Sequence, residues 1–467
     1  MSSSPSTDPR SARRRTFYVE NLGCAKNQVD AEVMIAALER AGWARALDPD
    51  DADTILVNTC GFIEPAKEES ITTTLGFIEA YPRSRVVMTG CLSQRYPEEL
   101  AAEIPELAGV FGNRAPARVP EFLADLDAGG ERVRIPSAGL EAHERTHLLS
   151  FPGSAFVKVS EGCDNRCSFC AIPLIRGSHR SKPMDAILAE VEALLDRGVV
   201  EINLVAQDLA SYGKDLPEAT PDELLRRIST LPGDFWVRLL YVYPERFPES
   251  FFPILRADPR LLPYFDIPFQ HASTKVLRGM GRPGDAERYL SLVRRIREEL
   301  PDAVIRSTLL VGFFGETDEA FDELLSFQQQ ADLDWLGVFP YSPEEGTPAT
   351  RGNPRRDVSP KLAERRARAV EERQREITER RMDRFVGRDL DVLVEELVPE
   401  EPLAIGRCYA QAPEVDGAVV VHVPEEELGA DGGAAVAHAT ARRVVPGRLV
   451  RCRIVKRNGL DLEAVPL

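Results

Sequence analysis

Two stretches of this chain alternate short apolar runs with helix-length segments, and that alternation constrains the fold more than any other feature. In the first, residues 16 to about 125, TFYVENLGC precedes a helical KNQVDAEVMIAALERAG. ADTILVNTC follows, with a helix beginning near Glu64, and then SRVVMTGC, with a further helix after Pro97. Strands joined by helix-length crossovers pair in parallel, so this stretch predicts a parallel α/β sheet. In the second stretch, AFVKVSEG, VEINLVAQD, FWVRLLYVYP, PYFDIPFQ, AVIRSTLLVGF and WLGVFPYSP are separated by segments such as DAILAEVEALLDRG, GDAERYLSLVRRIREEL and DEAFDELLSFQQQ. Six β/α units are too few for an eight-stranded barrel and suit an open, six-unit partial one.

The texture then changes. Residues 358 to 383 are charged with mixed signs and predict a solvated connecting helix. Beyond about Phe385, LDVLVEEL, AIGRCYAQ, GAVVVHV, LVRCRIVKR and LDLEAV are short and closely spaced, as in a small antiparallel barrel of the OB-like kind. The expected class is α/β with this added barrel. The expected division is a disordered tail over 1–15, an N-terminal domain over 16–130, the partial barrel with its connecting helix over 149–383, and the small barrel over 384–467. The Ser-rich start MSSSPSTDPRSARRR has no apolar segment and does not read as a signal peptide. No run of about 18 apolar residues occurs, so the chain is expected to be cytoplasmic.

In a reducing compartment the eight cysteines call for an explanation other than disulfides. Cys24, Cys60 and Cys91 each end one of the first three strands. Parallel strands bring their carboxyl ends to one edge, so these three are predicted to converge. EGCDNRCSFCAIP places Cys163, Cys167 and Cys170 directly after the first barrel strand. With His179 they would close a Cys₃His zinc tetrahedron. Alternatively, three thiolates hold a 4Fe–4S cluster and leave one iron open for a small molecule. Zinc knuckles usually pair cysteines as CxxC, whereas the first gap here is three residues. Cys408 and Cys452 are assigned to packing. The net charge of −17 disfavours generic nucleic-acid binding, which depends on neutralising phosphates.

CxxxCxxC after the first strand of a partial β/α barrel resembles the radical S-adenosylmethionine (SAM) signature. The resemblance implies that Cys163, Cys167 and Cys170 hold a 4Fe–4S cluster whose open iron binds SAM. Reductive cleavage of SAM then yields a 5′-deoxyadenosyl radical, with the protein positioning the reactants. TLLVGFFGET is similar to the family's glycine-containing strand end that meets SAM, which implies close backbone approach at Gly312 and Gly315. Phe314 stands where that family usually has proline. Gln207 and Asp208 after the second barrel strand, and Arg306 in the fifth, are further implied SAM contacts.

NLGCAKNQVDAE, VNTCGFIEPAKEES and TGCLSQRYPEEL resemble the N-terminal domain of methylthiotransferases, which extends the resemblance from about residue 16 to the end. It implies that Cys24, Cys60 and Cys91 hold a second, sulfur-carrying 4Fe–4S cluster. SAM would be used twice, once to methylate that sulfur and once as the radical source. RLLYVYP, AQDLASYG, YSPEEGTPA and YAQAPEVDG resemble the RimO type, which modifies the β-carbon of an aspartate in ribosomal protein S-twelve. The branch that modifies isopentenyladenosine in tRNA typically carries a basic residue where this chain has Glu344 and Glu345.

The C-terminal module is similar to a TRAM domain. Acidic residues outnumber basic ones from Phe385 onward, so Glu344, Glu345, Glu414 and Asp416 read either as a docking surface for a basic protein or as a solvated face. The implied partners are the ribosomal protein, free or within the small subunit, and an electron donor such as flavodoxin or ferredoxin. A zinc-stabilised RNA-binding protein is the non-catalytic alternative.

Overall fold

The computed structural model describes residues 15–137, 144–351, 358–424 and 444–467, so all but the last residue of the expected tail lies outside them. The chain forms two compact units, one of residues 1–149 with 171–177 and one of residues 150–170 with 178–467.

In the first unit, β1 (Thr16–Asn21), β2 (Ala44–Arg45), β3 (Thr54–Thr59), β4 (Arg85–Gly90), β5 (Gly109–Gly112) and β6 (Val133–Arg134) form one sheet in the order 2-1-3-4-5-6. Every pairing is parallel. The central strand β3, TILVNT, is buried along its whole length, as a strand covered on both faces should be. Its alternate residues serve two cores. Leu56 packs with Phe17, Val87 and Phe111 on one face, while Ile55 and Val57 pack with Val86, Met88 and Val110 on the other. Helix α1 (Ala25–Arg40) covers the first face through Ala31, Met34, Ile35 and Leu38. Helix α2 (Glu64–Ala80) follows β3, and the one-turn helix α3 (Cys91–Arg95) follows β4. The strand order reverses between β1 and β3, and the crevice at such a reversal is where open α/β sheets place their ligands.

The second unit carries a parallel sheet with strands β7 (Ser154–Lys158), β10 (Glu201–Val205), β11 (Trp236–Leu239), β12 (Leu261–Asp266), β13 (Val304–Val311) and β14 (Trp335–Pro340). Their order, 14-13-12-11-10-7, is strictly sequential, which is the open six-unit β/α arrangement. Between β7 and β10, β8 (Ser160–Glu161) and β9 (Arg180–Ser181) form a short antiparallel ribbon that brackets the cysteine-rich loop. Helices α4 (Met184–Asp196), α5 (Ala286–Glu299) and α6 (Asp318–Ala331) fall on the three helical segments read from the sequence. Asp285 and Thr317 cap the last two by accepting from the amides of Arg288 and Ala320.

Helix α7 (Pro360–Met382) is not wholly solvated. Ala363, Ala367, Val370, Gln374, Ile377 and Thr378 form a buried stripe. Within this stripe Gln374 donates to the carbonyl of Leu333, and Thr378 to that of Asp334. The chain then closes a five-stranded barrel from β15 (Asp389–Leu397), β16 (Leu403–Arg407), β17 (Val419–His422), β18 (Leu449–Asn458) and β19 (Asp461–Pro466). Its pairings are antiparallel except β17 with β19, which is parallel. Cys452 on β18 and Cys408 just after β16 are fully buried, in keeping with packing roles.

Candidate active site

The register of the first sheet sets the positions of Cys24, Cys60 and Cys91. Asn21 pairs with Asn58, and Thr59 pairs with Gly90. Cys60 and Cys91 are therefore the first residues beyond two strands that end level, on neighbours about 4.8 Å apart. Cys24 lies three residues beyond β1 at the N-terminus of α1. Two glycines let these loops close on one another. A side chain at Gly23, whose φ is +101°, would stand 3.0 Å from the Cβ and 3.5 Å from the sulfur of Cys60. One at Gly61 would come within 2.7 Å of the Leu92 Cα. The cysteine loops are thus packed to a spacing that only glycine permits.

A polar frame holds the loops. Asn27 Nδ2 donates to the carbonyls of Thr59 and Leu22 at 2.9 and 3.1 Å. Asn58 Nδ2 donates to the carbonyl of Asn27 at 2.7 Å, and the amide of Cys60 donates to Ser70 Oγ at 3.1 Å. Around the Cys91 sulfur, Asn113 Nδ2 donates at 3.3 Å and Arg176 Nη2 at 3.2 Å. Arg176 belongs to the segment 171–177, which packs with this unit although it follows Cys170 in sequence.

The three thiols differ electrostatically. Burial pushes Cys60 up to about 12, and the neighbouring Cys91 and Cys24 add to the shift. Burial also raises Cys91, against the pull of Arg176. Cys24 keeps accessible surface. The protein around it desolvates the sulfur, but Lys26, Arg176 and the first-turn amides of Asn27 and Lys26 outweigh that effect and lower its pKa. Asn27, three residues after Cys24, holds the Thr59 carbonyl beside Cys60 and accepts from the Cys91 thiol at 3.1 Å, so the three loops share a neighbourhood. Thiols gathered on neighbouring loops suit a group that supplies positive charge to several thiolates at once.

The second triad lies within one loop. Arg166 adopts a left-handed conformation, with φ +54°. The amide of Ser168 donates to the Met280 carbonyl at 2.8 Å, its hydroxyl to Gly279 at 2.7 Å, and its carbonyl accepts from Ala349 at 2.9 Å. Phe169 packs edge-on against Phe313. Burial pushes Cys163 up to about 11 and also raises Cys167, where Arg282 opposes the shift. Arg282 is itself fixed by Glu245 at 3.0 Å and lies over the Tyr243 ring. His179 does not complete a zinc site here: its Nε2 lies 3.0 Å from Ser181 Oγ and 3.5 Å from Asp215. A cubane takes each thiolate on a separate iron, so its ligands stand apart. Among the described residues no three His, Cys, Asp or Glu side chains gather as they would on a single ion.

The remaining residues singled out from the sequence have distinct surroundings. Gln207 donates to Glu161 at 2.7 Å while its buried Oε1 has no hydrogen-bond partner. Asp208 is saturated: it accepts from Asn165 at 3.0 Å, Ser211 at 2.7 Å, the Ala210 amide at 3.1 Å and Arg246 at 2.5 Å. Arg306 bridges Asp266 at 3.2 Å and Asp416 at 3.3 Å. Gly312 and Gly315 both have positive φ. A side chain at Gly312 would meet Ala363 at 2.4 Å, whereas Gly315 faces open space. Asp416 and Glu344 are not surface charges. The Asp416 carboxylate is buried against Tyr264, Arg306 and the Ala412 amide, and Glu344 is buried as well. Asn27, Asn113, Arg176 and Arg282 were not foreseen. Their only sequence signal is a polar residue inside a helix or in a loop at an element's end, without the partner that explains it.

Three family models match the chain: the uncharacterized protein family UPF0004 over residues 16–112, the radical SAM superfamily over 157–327, and the TRAM domain over 386–467. The chain is 42% identical to the ribosomal protein uS12 methylthiotransferase RimO of Treponema denticola, across 95% of this chain and 99% of that one. It is 39% identical to the RimO of Myxococcus xanthus, across 96% and 91%. Among solved structures, the radical SAM methyltransferase TsrM of Kitasatospora setae superposes with a TM-score of 0.54 at 18% identity, over 71% of this chain and 75% of that one. That last likeness concerns the fold.

Proposed function

The chain belongs to the RimO-type radical SAM methylthiotransferases, sulfur-group transferases that use SAM and 4Fe–4S clusters, and on that premise we propose that it methylthiolates the β-carbon of an aspartate in ribosomal protein uS12. The observation that carries the reading is identity of about two residues in five along almost the full length of both chains, with Cys24, Cys60 and Cys91 inside the UPF0004 match and Cys163, Cys167 and Cys170 inside the radical SAM match.

In this reading Cys163, Cys167 and Cys170 hold one cluster, and Cys24, Cys60 and Cys91 hold the other. When bound, the first supplies the electron that cleaves SAM, and the second carries the sulfur to be transferred. The protein's own residues do the positioning. Gln207, whose Oε1 is buried without a partner, is the SAM contact we favour from the second strand end, since an unmet acceptor suits an amino or hydroxyl donor. Gly315, with open space beside it, allows the approach of the cofactor. Asp208, Arg306 and Gly312 shape the surrounding walls: Asp208 fixes Asn165 of the cysteine loop, Arg306 ties two acids, and Gly312 seats α7. The division into domains over 16–130, 149–383 and 384–467 follows from the same reading.

The net charge of −17 favours a basic protein substrate over tRNA, and the exposed Glu345 and Glu414 contribute to that field. We place the enzyme in the cytoplasm, with a flavodoxin or ferredoxin as its electron donor. Among the described residues no helix is long and apolar enough to cross a membrane. The test is to incubate reduced enzyme and SAM separately with uS12, with small ribosomal subunits and with tRNA, and to read the products by mass spectrometry. Replacement of one aspartate hydrogen by a methylthio group supports the proposal, and modification of tRNA alone overturns it.

A further inference from the structure

Arg176 is buried, and each of its terminal nitrogens is committed within the first unit. Nη1 donates to Asp30 Oδ2 at 2.8 Å, and Nη2 donates to Asn27 Oδ1 at 2.5 Å and to the Cys91 sulfur at 3.2 Å. Asp30 and Asn27 stand on α1, which begins immediately after Cys24, while Cys91 opens α3. Asn27 also holds the end of β3 through the carbonyl of Thr59. One guanidinium therefore spans the supports of all three cysteines. The short helix Ile172–Ile175 that delivers it packs Ile175 and Ala171 against Cys91. This helix begins two residues after Cys170, so the chain that leaves one triad supplies the side chain that binds a sulfur of the other.

From this geometry we propose that Arg176 is a positioning residue that sets the reduction potential of the N-terminal 4Fe–4S cluster through its N–H···S hydrogen bond to Cys91. The inference rests on the reading that Cys24, Cys60 and Cys91 hold a cluster. Hydrogen bonds to a ligating sulfur, and a fixed positive charge beside it, stabilise the more electron-rich state and raise the potential. The buried Asp30 neutralises the guanidinium but does not remove its N–H from the sulfur. A raised potential keeps electrons on the cluster that carries sulfur, separating its role from that of the SAM-cleaving one. Asn113 Nδ2 donates to the same sulfur as a neutral second donor.

The test uses the full chain with Cys163, Cys167 and Cys170 all replaced by alanine, so that only the N-terminal cluster remains. Iron and sulfide analysis first checks the underlying reading, and a redox titration followed by electron paramagnetic resonance then gives the potential. Arg176→Gln removes the charge, Arg176→Lys keeps it without the forked geometry, and Asn113→Leu removes the neutral donor alone. We expect the potential to fall in Arg176→Gln and to recover in part in Arg176→Lys. If Arg176→Gln is insoluble, Arg176→Lys decides, with a smaller fall expected, and Asn113→Leu gives the size of the fall that loss of a neutral donor alone produces. Absence of iron with Arg176 intact would remove the cluster reading and the proposal with it. A loaded cluster whose potential is unmoved in the variants overturns the proposal alone.

Discussion

Glu201, the first residue of β10, receives Arg407 from the end of β16 through two hydrogen bonds of 2.7 and 3.1 Å, with both side chains buried. Arg238 reaches the same carboxylate at 3.0 Å and bonds the carbonyl of Tyr409, and Arg407 continues to Glu395 at 2.6 Å. The β-barrel is thus joined to the amino-terminal ends of the β/α strands by a buried network, whereas the loop of Cys163, Cys167 and Cys170 follows the carboxyl end of β7. Replacing one partner strands the others. Arg407→Ala is predicted to destabilise the second unit by about 3–5 kcal/mol, because Glu395 loses its pair and Glu201 keeps only one. Urea unfolding followed by circular dichroism measures this; a loss below about 1 kcal/mol would show the network to be dispensable.

The same network predicts an acid limit. Burial alone would raise the Glu201 pKa, but Arg407, Arg238 and the Ser154 hydroxyl hold it well below the ordinary value of 4.5. A carboxylate with a depressed pKa contributes stability that is present above its unfolded value and is lost as the pH falls toward the folded one. Unfolding free energy should therefore drop between pH 5 and the acid range. Glu201→Gln should flatten that fall while lowering stability at pH 7. An unchanged acid profile in Glu201→Gln would assign the sensitivity to other groups.

Each cysteine triad should load separately. Substituting Cys24, Cys60 and Cys91 by alanine should reduce the iron content from about eight to about four per chain. SAM cleavage to 5′-deoxyadenosine should persist while methylthio transfer disappears. Substituting the other triad should remove SAM cleavage and leave the remaining cluster. Retention of about eight irons in either variant would break the assignment of ligands.

The two glycines of the GFFGE segment separate packing from cofactor approach. Both require a left-handed backbone, which costs roughly 1 kcal/mol or more in alanine. Gly312→Ala additionally drives a methyl group into Ala363 and should loosen α7, seen as a lower unfolding midpoint. Gly315→Ala meets open space, so its stability loss should be the smaller, while SAM affinity falls if the cofactor passes there. Isothermal titration with SAM on both variants, beside their melting curves, distinguishes the two. Equal SAM affinity in Gly315→Ala and the unaltered enzyme would exclude close approach at that position.

The strands that position both triads were legible because they are long and apolar. In ADTILVNTC and AFVKVSEG the strand residues Thr54–Thr59 and Ser154–Lys158 are buried almost throughout, and the alternation with helices forces a parallel sheet. The strands β2, β5 and β6 were not legible: two have only two residues, and GVFG begins and ends in glycine. The buried face of α7 escaped notice because its stripe is made of alanine, glutamine and threonine, with few large apolar side chains. The pattern alone put Cys60 and Cys91 at their strand ends, and they lie directly after them, with Cys24 a little beyond its own. The contacts that organise these cysteines could not be read that way, because Arg176 meets Asn27 across 149 positions and Asn113 meets Cys91 across 22. Asp416 read as a surface charge for the same reason, since its partners Tyr264 and Arg306 lie on strands far earlier in the chain.

Asp208 shows what such a hidden contact should do. Its carboxylate accepts from Asn165, which lies between Cys163 and Cys167, and at the same time from Ser211, the Ala210 amide and Arg246. Arg246 also reaches Asn165 directly. The loop that presents the second triad is therefore held against the end of β10 by a charge-assisted cluster. Asp208→Asn keeps the shape, removes the charge and replaces one acceptor by a donor facing Arg246. The expected result is a chain that folds but loads only the N-terminal cluster, with iron falling toward about four per chain and SAM cleavage lost in proportion. Ser211→Ala, which removes the hydroxyl's bonds to Asp208 and Arg246 but keeps the carboxylate, should lose less. Full iron content and normal SAM cleavage in Asp208→Asn would mean that the cysteine loop keeps its conformation without this anchor.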